Sequence, residues 1–240
     1  MALPGAPCTR PCCSTPPTRQ VDEGHHAPSP CDLMNVFEQL HARFYDSVTA
    51  PMERRGLAER RVRLLEGLEG DVLEIGAGTG ANLEAYPEAV TSLTLTEPSA
   101  PMAQRLRTHV AAERPDTTVV KAAAEDLPFA DASFDGVVST LVLCSVDDPG
   151  VAVSEIRRVL RPAGRLAVLE HVVSSGRGRI LQRAWEPAQK VIGRNCHMTR
   201  DTRRFLEIAG FDTTRVVDTN IPGLPHTVFP VISGIAAAAD

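Results

Sequence analysis

The stretch Asp71-Val72-Leu73-Glu74-Ile75-Gly76-Ala77-Gly78-Thr79-Gly80-Ala81-Asn82-Leu83 decides how the rest of the chain is read. Val72 to Ile75 is an apolar run with the length of a buried strand. It breaks into a glycine-rich turn, and the spacing predicts a short helix over Ala81 to Tyr86, ended by Pro87. Glycine is needed where backbone takes a positive φ or comes close to a ligand. Gly76, Gly78 and Gly80 therefore set bare backbone N–H groups beside a helix N-terminus. A dinucleotide turn uses G-x-G-x-x-G. Here the spacing is G-x-G-x-G, and Glu74 sits in the strand end just ahead of it. An acid at that place suits a ligand with a cationic amino-acid head better than a pyrophosphate.

Upstream, apolar residues recur at helical spacing from Asn35 to Thr49, namely Val36, Phe37, Leu40, Phe44 and Tyr45. Pro51 interrupts this segment, and Met52 to Leu65 resumes it until Gly67 and Gly70 close it. Residues 34–69 are expected to lie as lid helices over the carboxyl edge of a sheet. Arg54, Arg55, Arg60, Arg61 and Arg63 read as a solvated face.

Downstream, β-branched runs alternate with helical ones. Strands are expected at Val90–Thr96, Val119–Ala122, Phe134–Thr140 and Arg165–His171, with a last pair at Phe211–Asn220 and Val228–Ala236. Helices are expected at Pro98–Ala112, Asp148–Leu160, Arg179–Val191 and Thr199–Ala209. Asp147 and Asp148 read as the N-cap of the second of these, Pro162-Ala163-Gly164 as its exit turn, and Thr199 as the cap of the last. This order predicts an α/β fold: a doubly wound, Rossmann-like, seven-stranded sheet, mostly parallel, with an antiparallel C-terminal strand. Ligands in such sheets sit off the carboxyl ends of the strands at the topological switch point. That gathers Gly76 to Gly80, Glu97, Ala124, Glu125, Thr140 and Leu141 around one cleft.

The 240 residues suffice for one such domain. The net charge of -5, without a basic patch interleaved with aromatics, argues against a nucleic-acid partner. No apolar run has membrane-spanning length. Residues 1–33 stand apart as a proline-rich, polar tail expected to be disordered, or as an extension ahead of a natural start at Met34. They lack the apolar centre of a secretory signal. Four of the six cysteines, Cys8, Cys12, Cys13 and Cys31, lie there near His25 and His26, with spacings that match no common zinc pattern, so no metal site is expected. Cys144 and Cys196 suggest no disulfide, which favours a reducing, cytoplasmic setting.

Four blocks resemble the class I S-adenosylmethionine-dependent methyltransferases of the methyltransferase type 11 kind: VLEIGAGTG (72–80), Glu97 at the end of the second strand, AAEDLPF (123–129), and the FDGVVST strand with EIRRVLRPAG (155–164). TLVLCSV (140–146), RVLRPAGRL (158–166), LEHV (169–172) and NCHMTR (195–200) look like the methyltransferase-like thiol S-methyltransferases of animal microsomes. Those relatives carry an N-terminal hydrophobic anchor, whereas this chain has its polar tail. The resemblance implies S-adenosyl-L-methionine as cofactor and a small, fairly apolar methyl acceptor. A thiol heads that list, with quinones, phenols or lipids as O- or C-acceptors next, and a non-catalytic binding module as a rival.

The resemblance also implies roles. Gly76, Ala77, Gly78 and Gly80 pass close to the methionine part of the cofactor, and Glu74 helps place its amino group. Glu97 accepts both ribose hydroxyls, since a carboxylate has lone pairs for two O–H donors. Pro98 and Met102 wall the adenine, Ala124 or Glu125 meets its amino group, and Thr140 and Leu141 lie beneath. By its position at the carboxyl end of the fifth strand, His171 is the catalytic candidate, as a base, with a structural hydrogen-bonding histidine as the alternative. Cys144 lines the acceptor pocket, Cys196-His197 either line it or simply pack, and Trp185 helps close the lid. The expected chemistry is an in-line displacement, in which alignment in a dry site supplies most of the rate.

Overall fold

The computed structural model describes residues 30–221 and 223–238, and the side chains of 36–191 and 193–221 within the first span. The expected tail therefore lies outside the described residues up to position 29. Its last four residues open a helix, α1 (Pro30–Met52). Pro51 sits in the final turn of α1 and does not break it. The break comes one turn later, where a widened π-type turn over Glu53–Leu57 contains Gly56 at φ 118° and hands the chain to α2 (Ala58–Leu65). The apolar stripe of α1 is not buried as its periodicity predicts: Val36, Phe37, Leu40, Phe44 and Val48 are exposed, and Ala42 is the one fully buried among the described side chains of α1.

The sheet runs β3 (Thr118–Val120), β2 (Val90–Thr96), β1 (Gly70–Ile75), β4 (Phe134–Thr140), β5 (Leu160–His171), β8 (Pro230–Ala238), with β6 (Phe211–Asp212) and β7 (Val216–Asn220) both on the far side of β8. The strands from β3 to β5 pair in parallel. β8 is antiparallel to β5, β6 and β7, the antiparallel C-terminal strand that was expected. The expected sixth strand is split in two. Asp212 Oδ1 accepts the Thr214 N–H at 2.9 Å, and this side-chain-backed turn takes the chain out of the ladder before Val216 rejoins it.

Side chains alternate between two cores, as period 2 demands. Leu73, Ile75, Val137, Leu166 and Val168 meet α4 (Pro149–Val159) and α6 (Thr202–Ile208) on one face. Val72, Val138, Ala167 and Leu169 meet α2 and α3 (Ala100–Glu113) on the other. Truncating a fully buried leucine such as Leu73 to alanine costs about 2–5 kcal/mol.

Several local expectations change. The helix after the glycines is only one 3-10 turn, Leu83–Ala85, because Gly80 sits at φ 100° and Pro87 forces Tyr86 to be extended. Pro162-Ala163-Gly164 is not an exit turn. It lies inside β5 as a bulge, Ala163 at φ 60°, where the register shifts between the Phe134–Leu160 and Gly136–Arg165 pairs. The cap of α6 is Asp201, which accepts the Arg204 N–H, rather than Thr199. Asp148 does cap α4, accepting from Gly150 and Val151. α5 (Gly176–Ile192) starts earlier than expected and leaves Trp185 exposed rather than buried as a closing residue.

Candidate functional site

The carboxyl ends of β2, β1, β4 and β5 lie side by side, and the chain leaves β1 and β4 in opposite directions along the sheet. That switch point is the cleft. Gly76, Gly78 and Gly80 all take positive φ, at 55°, 61° and 100°. A side chain at Gly76 would run into Val142 at 2.8 Å, so the turn is packed from below, while Gly78 meets nothing nearer than the Met102 methyl at 3.7 Å. The open position in this turn is therefore at Gly78, with Met102 beside it.

Glu97, at 6% exposure, accepts the Gly78 N–H at 3.0 Å on one oxygen and the Ser99 N–H at 2.8 Å on the other. Each oxygen keeps a lone pair. Burial raises the carboxyl's pKa, and the Ser99 and Gly78 amides hold it back toward its charged form. Ser99 Oγ next to it is buried without a partner among the described residues. Pro98 is exposed at the rim, and Ala124 is buried. Glu125 Oε1 accepts the Asp147 N–H at 2.8 Å, which ties the 123–129 loop to the chain beyond β4.

Glu74 behaves differently. Its carboxylate is engaged within the protein, accepting Asn82 Nδ2 at 2.8 Å and the Tyr86 hydroxyl at 2.5 Å. Asn82 Nδ2 also reaches Thr140 Oγ1 at 3.0 Å, and Arg61 Nη1 donates to both Asn82 Oδ1 at 2.9 Å and Thr140 Oγ1 at 3.0 Å. Burial raises the Glu74 pKa against these donors. Arg61 is thus no part of a solvated face. It is 6% exposed, held by Glu53, and it ties the lid to the cleft floor.

Other anchors were hidden in the sequence too. Asp46 of α1 accepts Thr79 Oγ1 at 2.5 Å and Arg105 Nη2 at 2.8 Å, which seats α1 over the glycine turn. Tyr45, one residue before, has its hydroxyl pKa raised by burial, against the opposing charge of Arg61 and with Glu53 and Glu97 adding to the rise. Leu141 sits at φ 61°, a strained position for leucine, and Glu170 accepts the next three amides, Val142, Leu143 and Cys144. The 155–164 block has a mechanical reading. Glu155 accepts the Leu127 N–H, while Arg158 grips Glu155 and the Leu127 and Phe129 carbonyls, fixing the 123–129 loop.

On the far side of the cleft, His171 Nδ1 lies 3.8 Å from Cys144 Sγ and 3.5 Å from Cys196 Sγ, with 3.5 Å between the sulfurs. Sequence spacing gave no hint of this pair, because 52 residues separate them. Burial works to lower the imidazole pKa, and contact with Cys144 together with nearby charge outweighs it, so the net shift is upward. His171 Nε2 is buried and unpartnered among the described residues. His197 points elsewhere, toward Asn195 and Glu186.

A methyltransferase-domain family model matches residues 73–168. The thiol S-methyltransferase TMT1B of Rattus norvegicus is 36% identical over 184 residues, 74% of each chain. Thiol S-methyltransferase TMT1A of Homo sapiens is 34% identical over 170 residues, 69% of each chain. Among solved structures, a SAM-dependent methyltransferase from Thermotoga maritima, described as a possible histamine N-methyltransferase, superimposes with a TM-score of 0.62 at 24% identity, covering 85% of this chain and 99% of that one. The cyclase SpnF superimposes at 0.66 with 16% identity, covering 88% and 96%, so the fold by itself does not select a reaction. Strand order and glycine turn define the fold as Rossmann-like, and the family match and the relatives define the class. The chain belongs to the S-adenosylmethionine-dependent methyltransferases, with S-adenosyl-L-methionine as cofactor.

The residues present fit that cofactor. A polar ligand at the glycine turn would meet an open backbone face at Gly78, spare acceptor capacity on Glu97, and the unpartnered Ser99 hydroxyl.

Proposed function

We propose that this enzyme methylates the sulfur of a small, fairly apolar thiol. The observation that carries this reading is the acceptor-side wall. Beyond the cofactor side, Cys144 from the loop after β4 and Cys196 and Met198 from the loop after α5 form a buried, soft and apolar cluster packed with Val228 and Phe229, chemistry suited to a neighbouring sulfur compound. The thiol S-methyltransferase relatives support it.

In this reading Glu97 holds the ribose hydroxyls, and the backbone of Gly76, Ala77, Gly78 and Gly80 follows the methionine part. Met102 and Pro98 flank the adenine, with Ala124 and Glu125 at its amino edge. Glu74 acts at one remove, holding Asn82 and Tyr86 so that the turn keeps its shape; Thr140 and Leu141 form the floor. The bound cofactor supplies a sulfonium methyl that is already an activated electrophile. The chain's own task is alignment and exclusion of water, through the lid helices seated by Asp46 of α1 and Arg61 of α2. A thiol, with pKa about 8.5, is partly ionised at neutral pH and needs little help. For an acceptor of higher pKa, His171, whose Nε2 has no partner among the described residues, would take the proton. Two cysteines carried as thiols fit a reducing, cytoplasmic compartment.

The test is methyl transfer from labelled S-adenosylmethionine to a panel of alkyl thiols, phenols and quinols. Labelled thioether from alkyl thiols, in excess over the oxygen acceptors, is expected. Transfer confined to oxygen or carbon acceptors would overturn the thiol assignment.

A further inference from the structure

Cys144, His171 and Cys196 come from three separate segments: the loop after β4, the last residue of β5, and the loop after α5. Each is at most 6% exposed. Their donor atoms, two Sγ and one Nδ1, converge within 4.8 Å of one another. We propose that they form a zinc site with two thiolates and one imidazole, its fourth position left to a non-protein donor.

The geometry supports a metal. In a tetrahedral site with Zn–S about 2.3 Å and Zn–N about 2.0–2.1 Å, the sulfur–sulfur edge is about 3.8 Å and the sulfur–nitrogen edges about 3.5–3.6 Å. The edges found here are 3.5 Å, and 3.8 and 3.5 Å. Each edge is thus within about 0.3 Å of a zinc tetrahedron. Two thiols and an imidazole are a donor set that such an ion prefers to magnesium or calcium. A dry cluster of thiols satisfies itself poorly, since S–H is a weak donor and sulfur a weak acceptor.

The donors are also held in place. Glu170 accepts the Cys144 N–H at 3.2 Å, the His197 N–H donates to the Cys144 carbonyl at 2.7 Å, and the Val173 N–H donates to the Arg200 carbonyl at 2.8 Å. Arg200 Nη1 reaches the Leu143 carbonyl at 2.9 Å, and Thr202 Oγ1 the His171 carbonyl at 3.3 Å. These bonds fix the three segments to one another, so the ligand triangle exists before any ion enters. On binding, both thiols lose their protons to solvent and the imidazole stays neutral. Its remaining proton sits on Nε2, so a metal-loaded His171 is a ligand and not a base. The ion would pin the acceptor-side loops and take His171 out of the proton-accepting role open to it in the methylation reading above.

The experiment uses the full chain with Cys8, Cys12, Cys13 and Cys31 replaced by serine, so that bound metal reports on the cluster. Protein kept reduced is loaded with one equivalent of Zn²⁺ or Co²⁺, desalted, and assayed for metal by mass spectrometry and for thiolate-to-cobalt charge-transfer absorption. Close to one ion per chain and tetrahedral cobalt bands are expected. Cys196→Ser and His171→Ala are each expected to bind at least about tenfold more weakly, since even outer-shell changes cost that much. Cofactor-product binding checks that these variants are folded. Three results overturn the proposal: no retained metal in the parent, equal retention in folded Cys196→Ser, or a Cys144–Cys196 disulfide that persists in reducing buffer.

Discussion

Removing one oxygen atom tests the buried network beneath the cleft. Tyr86→Phe keeps the ring and its packing but deletes the hydroxyl that donates to Glu74 Oε2 at 2.5 Å. Glu74 is 3% exposed, so water does not replace the lost donor without rearrangement, and Asn82 Nδ2 at 2.8 Å remains as the carboxylate's other side-chain donor. A hydrogen bond to a charged group contributes about 1.5–3 kcal/mol, and leaving a buried acceptor short by one donor costs a similar amount. The expected loss is therefore about 2 kcal/mol, a sizeable part of the 5–15 kcal/mol typical of a domain. Urea unfolding reads it as a lowered midpoint with an unchanged slope. The pH dependence has a defined sign. Burial already raises the Glu74 pKa, and the Tyr86 hydroxyl is the first of the groups that lower it again. A carboxyl whose folded pKa is raised destabilises the fold when ionised, and that cost appears as pH rises through its folded pKa. The variant's deficit should be full near neutrality and shrink as pH falls toward the ordinary carboxylate range. A deficit below about 0.5 kcal/mol at neutral pH, or one that grows on acidification, would refute the network's place in stability.

Arg158→Lys loses the fork that grips Glu155 and two loop carbonyls, so the Leu127 amide should exchange with solvent at least about tenfold faster, or about 1.4 kcal/mol of local protection. Unchanged exchange at Leu127 would contradict the clamp. Asp135 has its carboxyl held below the usual range by Arg161 and by the Asp71 amide. Its contribution is present above the unfolded aspartate pKa of about 3.9 and is lost as pH falls through the lower folded value. Asp135→Asn should unfold at higher pH on acid titration, with a difference that narrows in high salt because the Arg161 pair is partly exposed. An unaltered acid midpoint would remove this pair from the account.

The cleft was legible from sequence because it is built from local signals. Gly76, Gly78 and Gly80 announce their backbone by residue type, and Glu97 follows at the end of a strand whose bounds periodicity located to the residue, Val90–Thr96. Asp148 announced its own cap. What stayed hidden depends on contacts between distant segments. Arg61 looked like the exposed Arg54, Arg55 and Arg63, and only the fold shows that it turns inward to Asn82 and Thr140. The apolar stripe of α1 misled for the opposite reason, since helical periodicity marks a face without saying that the domain covers it. The helix after Gly80 failed on chain length: six residues between a left-handed glycine and a proline are too few. Cys144 and Cys196 became neighbours because the loop after α5 packs on the loop after β4, a long-range contact that no spacing rule encodes.

The most direct test is calorimetric binding of S-adenosylhomocysteine to the wild type and to Glu97→Ala. The wild type should bind with micromolar affinity, about -8 kcal/mol. Losing the two bonds proposed between the Glu97 carboxylate and the ribose, at about 1.5–3 kcal/mol each before relaxation, should weaken binding by at least about tenfold. Because Glu97 also accepts from Gly78 and Ser99, Glu97→Gln serves as the milder companion and should fall between the two. Wild-type protein that binds no S-adenosylhomocysteine, or Glu97→Ala that binds it as tightly as the wild type, would contradict the assignment of this cleft.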